Sequence, residues 1–134
     1  MNTDKEWEKW GQNDPYYGVL TNDNFRSKNI TQDLKKEFFE TGISDINHVI
    51  ETIKRHIDPF FLPGKTLDFG CGTGRLVIPL SKLSKEVTGI DISESMLKEA
   101  EKNCKEQGID NVRFIKGDDN LSFLSGSFDF IHSF

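Results

Sequence analysis

Apolar positions recur with two different periods along this chain, and the changes of period mark out its elements. Ile46, Val49, Ile50, Ile53 and Ile57 return at intervals of three and four, the spacing of one helix face. His48, Glu51, Lys54 and Arg55 fall on the opposite side. Ser44 is placed to cap that helix, and Thr31 to cap an earlier one over 32–41, where Leu34 and Phe38 share a face. Asp58-Pro59 and Pro63-Gly64 then break the chain before a short apolar run through Leu67. Leu76, Val77, Leu80 and Leu83 predict a helix over about 74–84, short or kinked because Pro79 lacks a backbone donor. Glu86–Asp91 reads as a strand. Met96, Leu97, Ala100 and Cys104 form the inward stripe of a helix over about 94–107, ended by Gly108. Val112–Gly117 and Phe128–Phe134 are two further strand candidates. Strands alternating with helices imply an α/β fold, a parallel sheet with right-handed crossovers. Residues 1–30 show little periodicity, with Trp7, Trp10, Tyr16, Tyr17 and Phe25 set around Asn13-Asp14-Pro15.

Composition narrows the class without naming it. A chain of 134 residues suits one domain, and its 35% hydrophobic content is that of a soluble globular protein. No run approaches the ~18 apolar residues of a membrane span. The N-terminus is charged and Trp-bearing, unlike a signal-peptide core, so the expected location is cytoplasmic. The net charge is −5 and no basic cluster occurs, so there is no clear nucleic-acid signal. Cys71 and Cys104 make no metal or redox motif, the three histidines lack ligand spacing, and no metal is expected. Oligomeric state is not legible here.

The chemistry concentrates in Leu67-Asp68-Phe69-Gly70-Cys71-Gly72-Thr73-Gly74-Arg75. An acid ends the apolar run, and glycines follow at alternate positions. Such a turn brings bare backbone close to a ligand, and the start of the next helix favours an anionic group. A dinucleotide fingerprint would need glycine where Arg75 stands, and so would a phosphate-binding P-loop. Cys71, between two glycines, reads as a small residue rather than a nucleophile. Asp91 ends the next strand 17 positions after Gly74. That is close to the spacing of an acid that takes ribose hydroxyls, and a carboxylate can accept two bonds from a vicinal diol. The alternative for Asp91 is a cap on the following helix. Asp118 and Asp119 follow the third strand, either as ligand contacts or as acids in a polar turn.

Taken together, these glycines and acids, with the Phe128-Asp129-Phe130-Ile131 strand, resemble class I methyltransferases that use S-adenosylmethionine (SAM), the "type 12" group by the glycine motif. The resemblance spans roughly residues 62–134. It implies a Rossmann-like parallel sheet with flanking helices, a partial SAM-binding domain over 62–134, and an arm of aromatics and helices over 1–61. SAM is the implied cofactor. Asp68 would serve its amino group, and the Gly70, Cys71 and Gly72 backbone would line it. Gly74 would let the helix pack closely. Asp91 would hold the ribose, Ile92 would pack on the adenine, and Met96 would flank that pocket or fill the core. Asp118 would take the adenine amino group, and the Asp119 N–H a ring nitrogen. His132 and Ser133 would fall near the methyl end.

The family fold carries seven strands, so the resemblance also implies a domain truncated after its fourth strand. The expectation is an N-terminal piece of a longer enzyme, inactive by itself. Its methyl acceptor would be a small molecule that the sequence does not identify. No general base or other catalytic residue is assigned. Two rivals stand beside this reading: a non-catalytic SAM-binding protein, and an NAD-dependent oxidoreductase. Asp68 before the glycines and Arg75 at the third-glycine position count against the oxidoreductase. Tyr16 and Tyr17 either close over the cofactor as a lid or pack the N-terminal arm onto the domain.

Overall fold

The computed structural model of the chain describes residues 2–118 and 127–134. Two helices open it, α1 (Thr3–Asn13) and α2 (Pro15–Val19), followed by a 3₁₀ turn at Asp23–Phe25 and the long helix α3 (Gln32–His56). Then come β1 (Lys65–Phe69), α4 (Val77–Leu83), β2 (Glu86–Asp91), α5 (Glu94–Glu106), β3 (Val112–Lys116) and β4 (Phe130–Ser133). The four strands form one parallel sheet in the order β3-β2-β1-β4. The chain therefore moves outward from β1 to β3 and returns to the other side of β1 for β4. Crevices at such reversals, beyond the carboxyl ends of the strands, are where open α/β sheets hold ligands.

Local chemistry explains most boundaries. Pro15 opens α2, where a missing N–H costs nothing. The Thr31 hydroxyl accepts from the Leu34 amide at 3.2 Å and starts α3. The Ser93 hydroxyl accepts from the Met96 amide at 3.1 Å and starts α5, which Gly108 closes at φ +68°. Asp129, in the Phe-Asp pair before β4, accepts from the amides of Gly64 and Lys65 at 3.0 and 2.9 Å. It thereby ties the start of β4 to the start of β1.

Two expectations change. The helices expected over 32–41 and from Ser44 onward are one continuous helix, with Gly42 inside it. Gly42 lies against the Arg75 carbonyl, with which a side chain would collide. Glycine is there for a close crossing and not for a break. Helix α4 also begins later than expected, at Val77, after an irregular stretch from Gly70 to Leu76. Pro79 is its third residue, among the first-turn positions whose N–H has no partner in the helix. The proline thus fits without a kink, and it leaves the Arg75 carbonyl without the i+4 donor another residue would offer.

The core lies between the sheet and its helices. Phe38, Ile46, Val77, Leu80 and Ala100 are fully buried. Tyr16, Phe25 and Phe38 meet edge to face, with ring centroids 5.0 and 5.4 Å apart. This geometry contributes about 0.5–1.5 kcal/mol per pair beyond area burial. The aromatics of the aperiodic N-terminus thereby fasten it to α3. No helix among the described residues is long and apolar enough to cross a membrane.

Candidate functional site

A cavity of 340 Å³ opens at the carboxyl ends of β1, β2 and β4, a size suited to a small-molecule ligand. Of the site residues expected from the sequence, Asp68, Gly70, Cys71, Gly72, Asp91, Ile92, Met96 and Asp118 line it. Gly74 does not. A Cβ there would make only ordinary contact, 3.6 Å from the Ala100 Cβ of α5, so what calls for glycine is the φ of +93°. Asp119 lies outside the described residues. Ser133 lines the cavity, whereas His132 does not and sits beside Asp68, its partner in the strand register.

Asp68 is buried, and burial pushes its carboxyl above the ordinary aspartate range, with His132 and Arg75 acting in the opposite sense. Its Oδ1 and the Nδ1 of His132 are 3.8 Å apart, too far for a hydrogen bond, and neither atom has another partner among the described residues. An unpartnered carboxylate oxygen on a residue that lines a cavity suits a cationic or hydrogen-donating ligand group.

Asp91 is engaged at both oxygens. Oδ2 accepts from the Gly72 amide at 2.9 Å, and Oδ1 accepts from the Ser93 amide at 2.9 Å. The helix cap is therefore Ser93, and Asp91 bridges the glycine turn to the start of α5. Burial pushes its pKa up, and these backbone bonds oppose the shift. Each oxygen keeps a lone pair, so the carboxylate still has capacity for a diol.

The glycine turn differs from the expected picture in one respect. Gly70 and Cys71 both donate to the Ile90 carbonyl at 2.8 Å, Gly72 donates to Asp91, and Gly74 donates to the Cys71 carbonyl at 3.1 Å. These four amides are committed inside the protein. The start of α4 lies beyond Leu76, so it does not supply the amide cradle that the motif suggested. Gly70 and Gly72 adopt φ of +78° and +53°, which only glycine takes without strain. The Cys71 thiol is buried and its pKa is pushed well up by that burial, which argues against a thiolate nucleophile.

Arg75, read from the sequence only as a residue out of place in other motifs, is a member of the site. Its side chain is 2% exposed, and the residue is among those that line the cavity. Nη1 donates to Asp45 Oδ2 at 2.7 Å and to Thr41 Oγ1 at 3.2 Å, both on α3. Nε and Nη2 have no acceptor among the described residues. The Phe134 ring lies over the guanidinium, 4.7 Å from centroid to Cζ. The sequence also gave no sign of the cavity's other wall, which Trp7 of α1 with Gly18 and Val19 of α2 provides.

Neither Tyr16 nor Tyr17 lines the cavity. Tyr16 is buried, donating to Glu99 Oε1 at 2.6 Å and reaching Asn103 Oδ1 at 3.2 Å. Tyr17 packs beside Trp10 and under the Arg26 guanidinium. The packing role holds for both, and the lid does not.

A parallel sheet that reverses at β1, with acids at the ends of three strands around one cavity, is the arrangement of Rossmann-like cofactor domains. Residues 66–134 match the family model of the methyltransferase domain, and the chain belongs to that family. It is 30% identical to the uncharacterised methyltransferase YcgJ of Bacillus subtilis over 113 residues, which is 84% of this chain and 42% of that protein. It is 33% identical to the ribosomal protein L11 methyltransferase of Thermus thermophilus over 94 residues, 69% of this chain and 35% of that protein. The crystal structure of YcgJ superposes with a TM-score of 0.53 at 28% identity, covering 65% of this chain and 37% of that one. An S-adenosylmethionine-dependent methyltransferase from Clostridium acetobutylicum gives a TM-score of 0.57 at 29% identity, over 69% and 35% of the two chains. The chain spans less than half the length of the curated relatives it matches.

Proposed function

We propose that this chain binds SAM in the cavity at the carboxyl ends of β1, β2 and β4, and that methyl transfer to a small-molecule acceptor takes place there. The observation that carries the reading is the convergence of Asp68, Asp91 and Asp118, from the ends of three adjacent parallel strands, on one cavity. The donor set suits the cofactor. Asp68, which lines the cavity with its Oδ1 unpartnered among the described residues, would take the ammonium group. Asp91 keeps acceptor capacity for the ribose hydroxyls. Ile92 and Met96 offer apolar walls to the adenine, and Asp118 an acceptor for its amino group. Asp119 completes the adenine contacts in this reading. In domain terms, 62–134 forms the cofactor-binding part and 1–61 the helices that wall it.

SAM supplies a methyl group already made electrophilic by its sulfonium. The residues here bind and orient; holding an acceptor in line with such a group contributes roughly 7–11 kcal/mol toward the barrier. The acceptor is proposed as a small molecule because the protein carries a net charge of −5 and no basic cluster that would seat a polyanion.

Titration calorimetry with SAM, S-adenosylhomocysteine and NAD tests the proposal. Binding of the two adenosyl compounds and not NAD is the expected result, with several-fold or greater weakening in Asp91→Ala. NAD binding alone, or wild-type affinity in Asp91→Ala, would remove the cofactor or the ribose assignment respectively. Methyl transfer from labelled SAM, dependent on added acceptor, separates an enzyme from a binding protein.

A further inference from the structure

We infer that Arg75 is the anchor for the α-carboxylate of the amino-acid end of the cofactor, an inference that rests on the SAM reading above. A carboxylate in this cavity needs donors. The amides of Gly70, Cys71, Gly72 and Gly74 already have acceptors within the protein. Helix α4 starts beyond Leu76 and is too short and too far along to serve. Among the described residues that line the cavity, Arg75 carries side-chain donors without a partner. Its guanidinium has five N–H groups. Nη1 is held by Asp45 and Thr41, while Nε and Nη2 are buried without an acceptor among the described residues.

Those two nitrogens form the side-on fork of the guanidinium, which matches the two oxygens of a carboxylate. Asp45 and Thr41 hold the far side and fix the plane of the group, and the Phe134 ring covers its face. An in-plane approach is what remains. The same cavity is lined by Asp68, whose Oδ1 is also unpartnered among the described residues and whose carboxyl feels the guanidinium charge. One carboxyl oxygen of Asp68 and two guanidinium nitrogens of Arg75, all without a partner among the described residues, are complementary to a zwitterion, with ammonium toward Asp68 and carboxylate toward Arg75.

The test compares S-adenosylhomocysteine with its decarboxylated counterpart, 5′-deoxy-5′-(3-aminopropylthio)adenosine, by calorimetry on the full chain. Wild type should prefer the carboxylate-bearing compound by about tenfold or more. Arg75→Met should erase that preference, weakening S-adenosylhomocysteine about tenfold while the decarboxylated compound changes less than about threefold. Asp68→Asn should weaken both alike, since both carry the ammonium. Should Arg75→Met not fold, Arg75→Lys and a crystal structure of wild type with S-adenosylhomocysteine decide. A carboxylate within about 3 Å of Nε or Nη2 supports the assignment. A carboxylate seated elsewhere, no preference in wild type, or a preference preserved in Arg75→Met overturns it while leaving the SAM reading intact. Failure of wild type to bind either compound overturns both.

Discussion

The Gly72 amide donates to Asp91 Oδ2 at 2.9 Å, so the glycine turn after β1 and the end of β2 are locked as one unit. Gly72 holds φ +53°, and a Cβ there would come 2.7 Å from Val19 Cγ2 of α2. Gly70 holds φ +78°, but a Cβ there would meet nothing within 4 Å. The two glycines thus separate backbone strain from crowding. Gly70→Ala should destabilise by about 1–2 kcal/mol, the cost of a left-handed alanine. Gly72→Ala should cost about 1–3 kcal/mol more, because Val19 must yield as well. A double-mutant cycle with Val19→Ala, read by urea denaturation, should recover the crowding part only. Equal costs at Gly70 and Gly72 would contradict this division.

Asp68 gives a pH dependence whose sign follows from its environment. Burial raises its folded pKa above the ordinary 3.8, with His132 and Arg75 opposing. The folded state then holds this proton more tightly than the unfolded state does. Its contribution to stability is fully present below 3.8 and is lost as pH rises through the folded value. Asp91 is shifted in the same direction, again chiefly by burial, and adds to the slope. Asp68→Asn should therefore flatten the slope without abolishing it, and melt at least about 2 °C higher than wild type at pH 7. Affinity for S-adenosylhomocysteine should move oppositely. It should rise with pH over the same interval in wild type, as the carboxylate ionises to meet the ammonium, and be lower by about tenfold in the variant. Thermal melts and calorimetry across the acid range measure both. An unchanged stability slope in Asp68→Asn would place the titration elsewhere.

The sheet was legible because its determinants are local. Periods of two and of three to four, with glycine and proline between them, gave the strand–helix alternation, and the acids at strand ends gave the crevice. What escaped the sequence depends on contacts between distant segments. Gly42 and Ser44 read as a helix boundary, yet Gly42 is a crossing point against the Arg75 carbonyl. Residues 1–30 read as aperiodic because α1 buries only Gly11 and α2 only Tyr16, too few positions to make a stripe. Trp7 and Val19 consequently gave no hint that they wall the cavity. Arg75 was visible only as a departure from glycine patterns, since its partners Thr41 and Asp45 lie 34 and 30 positions earlier in the sequence.

Tyr16 distinguishes a structural tyrosine from a lid. Burial, reinforced by Glu99, pushes its phenol far above the ordinary range, so it stays neutral at any working pH. Its hydroxyl joins Glu99 to Asn103, and Asn103 in turn donates to the Thr73 carbonyl at 3.0 Å inside the glycine turn. Tyr16→Phe should lower stability by about 1–2 kcal/mol through the lost bonds of a buried network. Affinity for S-adenosylhomocysteine should stay within about twofold, because Tyr16 does not reach the cavity. A tenfold loss of affinity without loss of stability would restore the lid.

Glu8 decides whether α1 remains against the site. Its carboxylate accepts from the Ser93 hydroxyl at 2.8 Å, from the Ser95 amide at 3.3 Å and from the Ser95 hydroxyl, all at the start of α5. Gly11, one turn further along α1, faces the same two serines with no room for a side chain. Burial alone would raise the Glu8 pKa; the bonds from Ser95 and Ser93 outweigh it, and the net shift is downward. A lowered pKa means that this latch is present above the ordinary 4.5 and is lost as pH falls through the folded value. Most of α1 is exposed, so without the latch little else holds it. Glu8→Ala at neutral pH, or acidification of wild type, should speed amide exchange across Thr3–Asn13 about tenfold or more while α5 keeps its protection. Because Trp7 of α1 lines the cavity, the same variant should bind S-adenosylhomocysteine several-fold more weakly. Exchange that rises equally in α1 and α5 would instead make Glu8 part of the global fold. Exchange that does not rise at all would show that aromatic packing alone holds the arm.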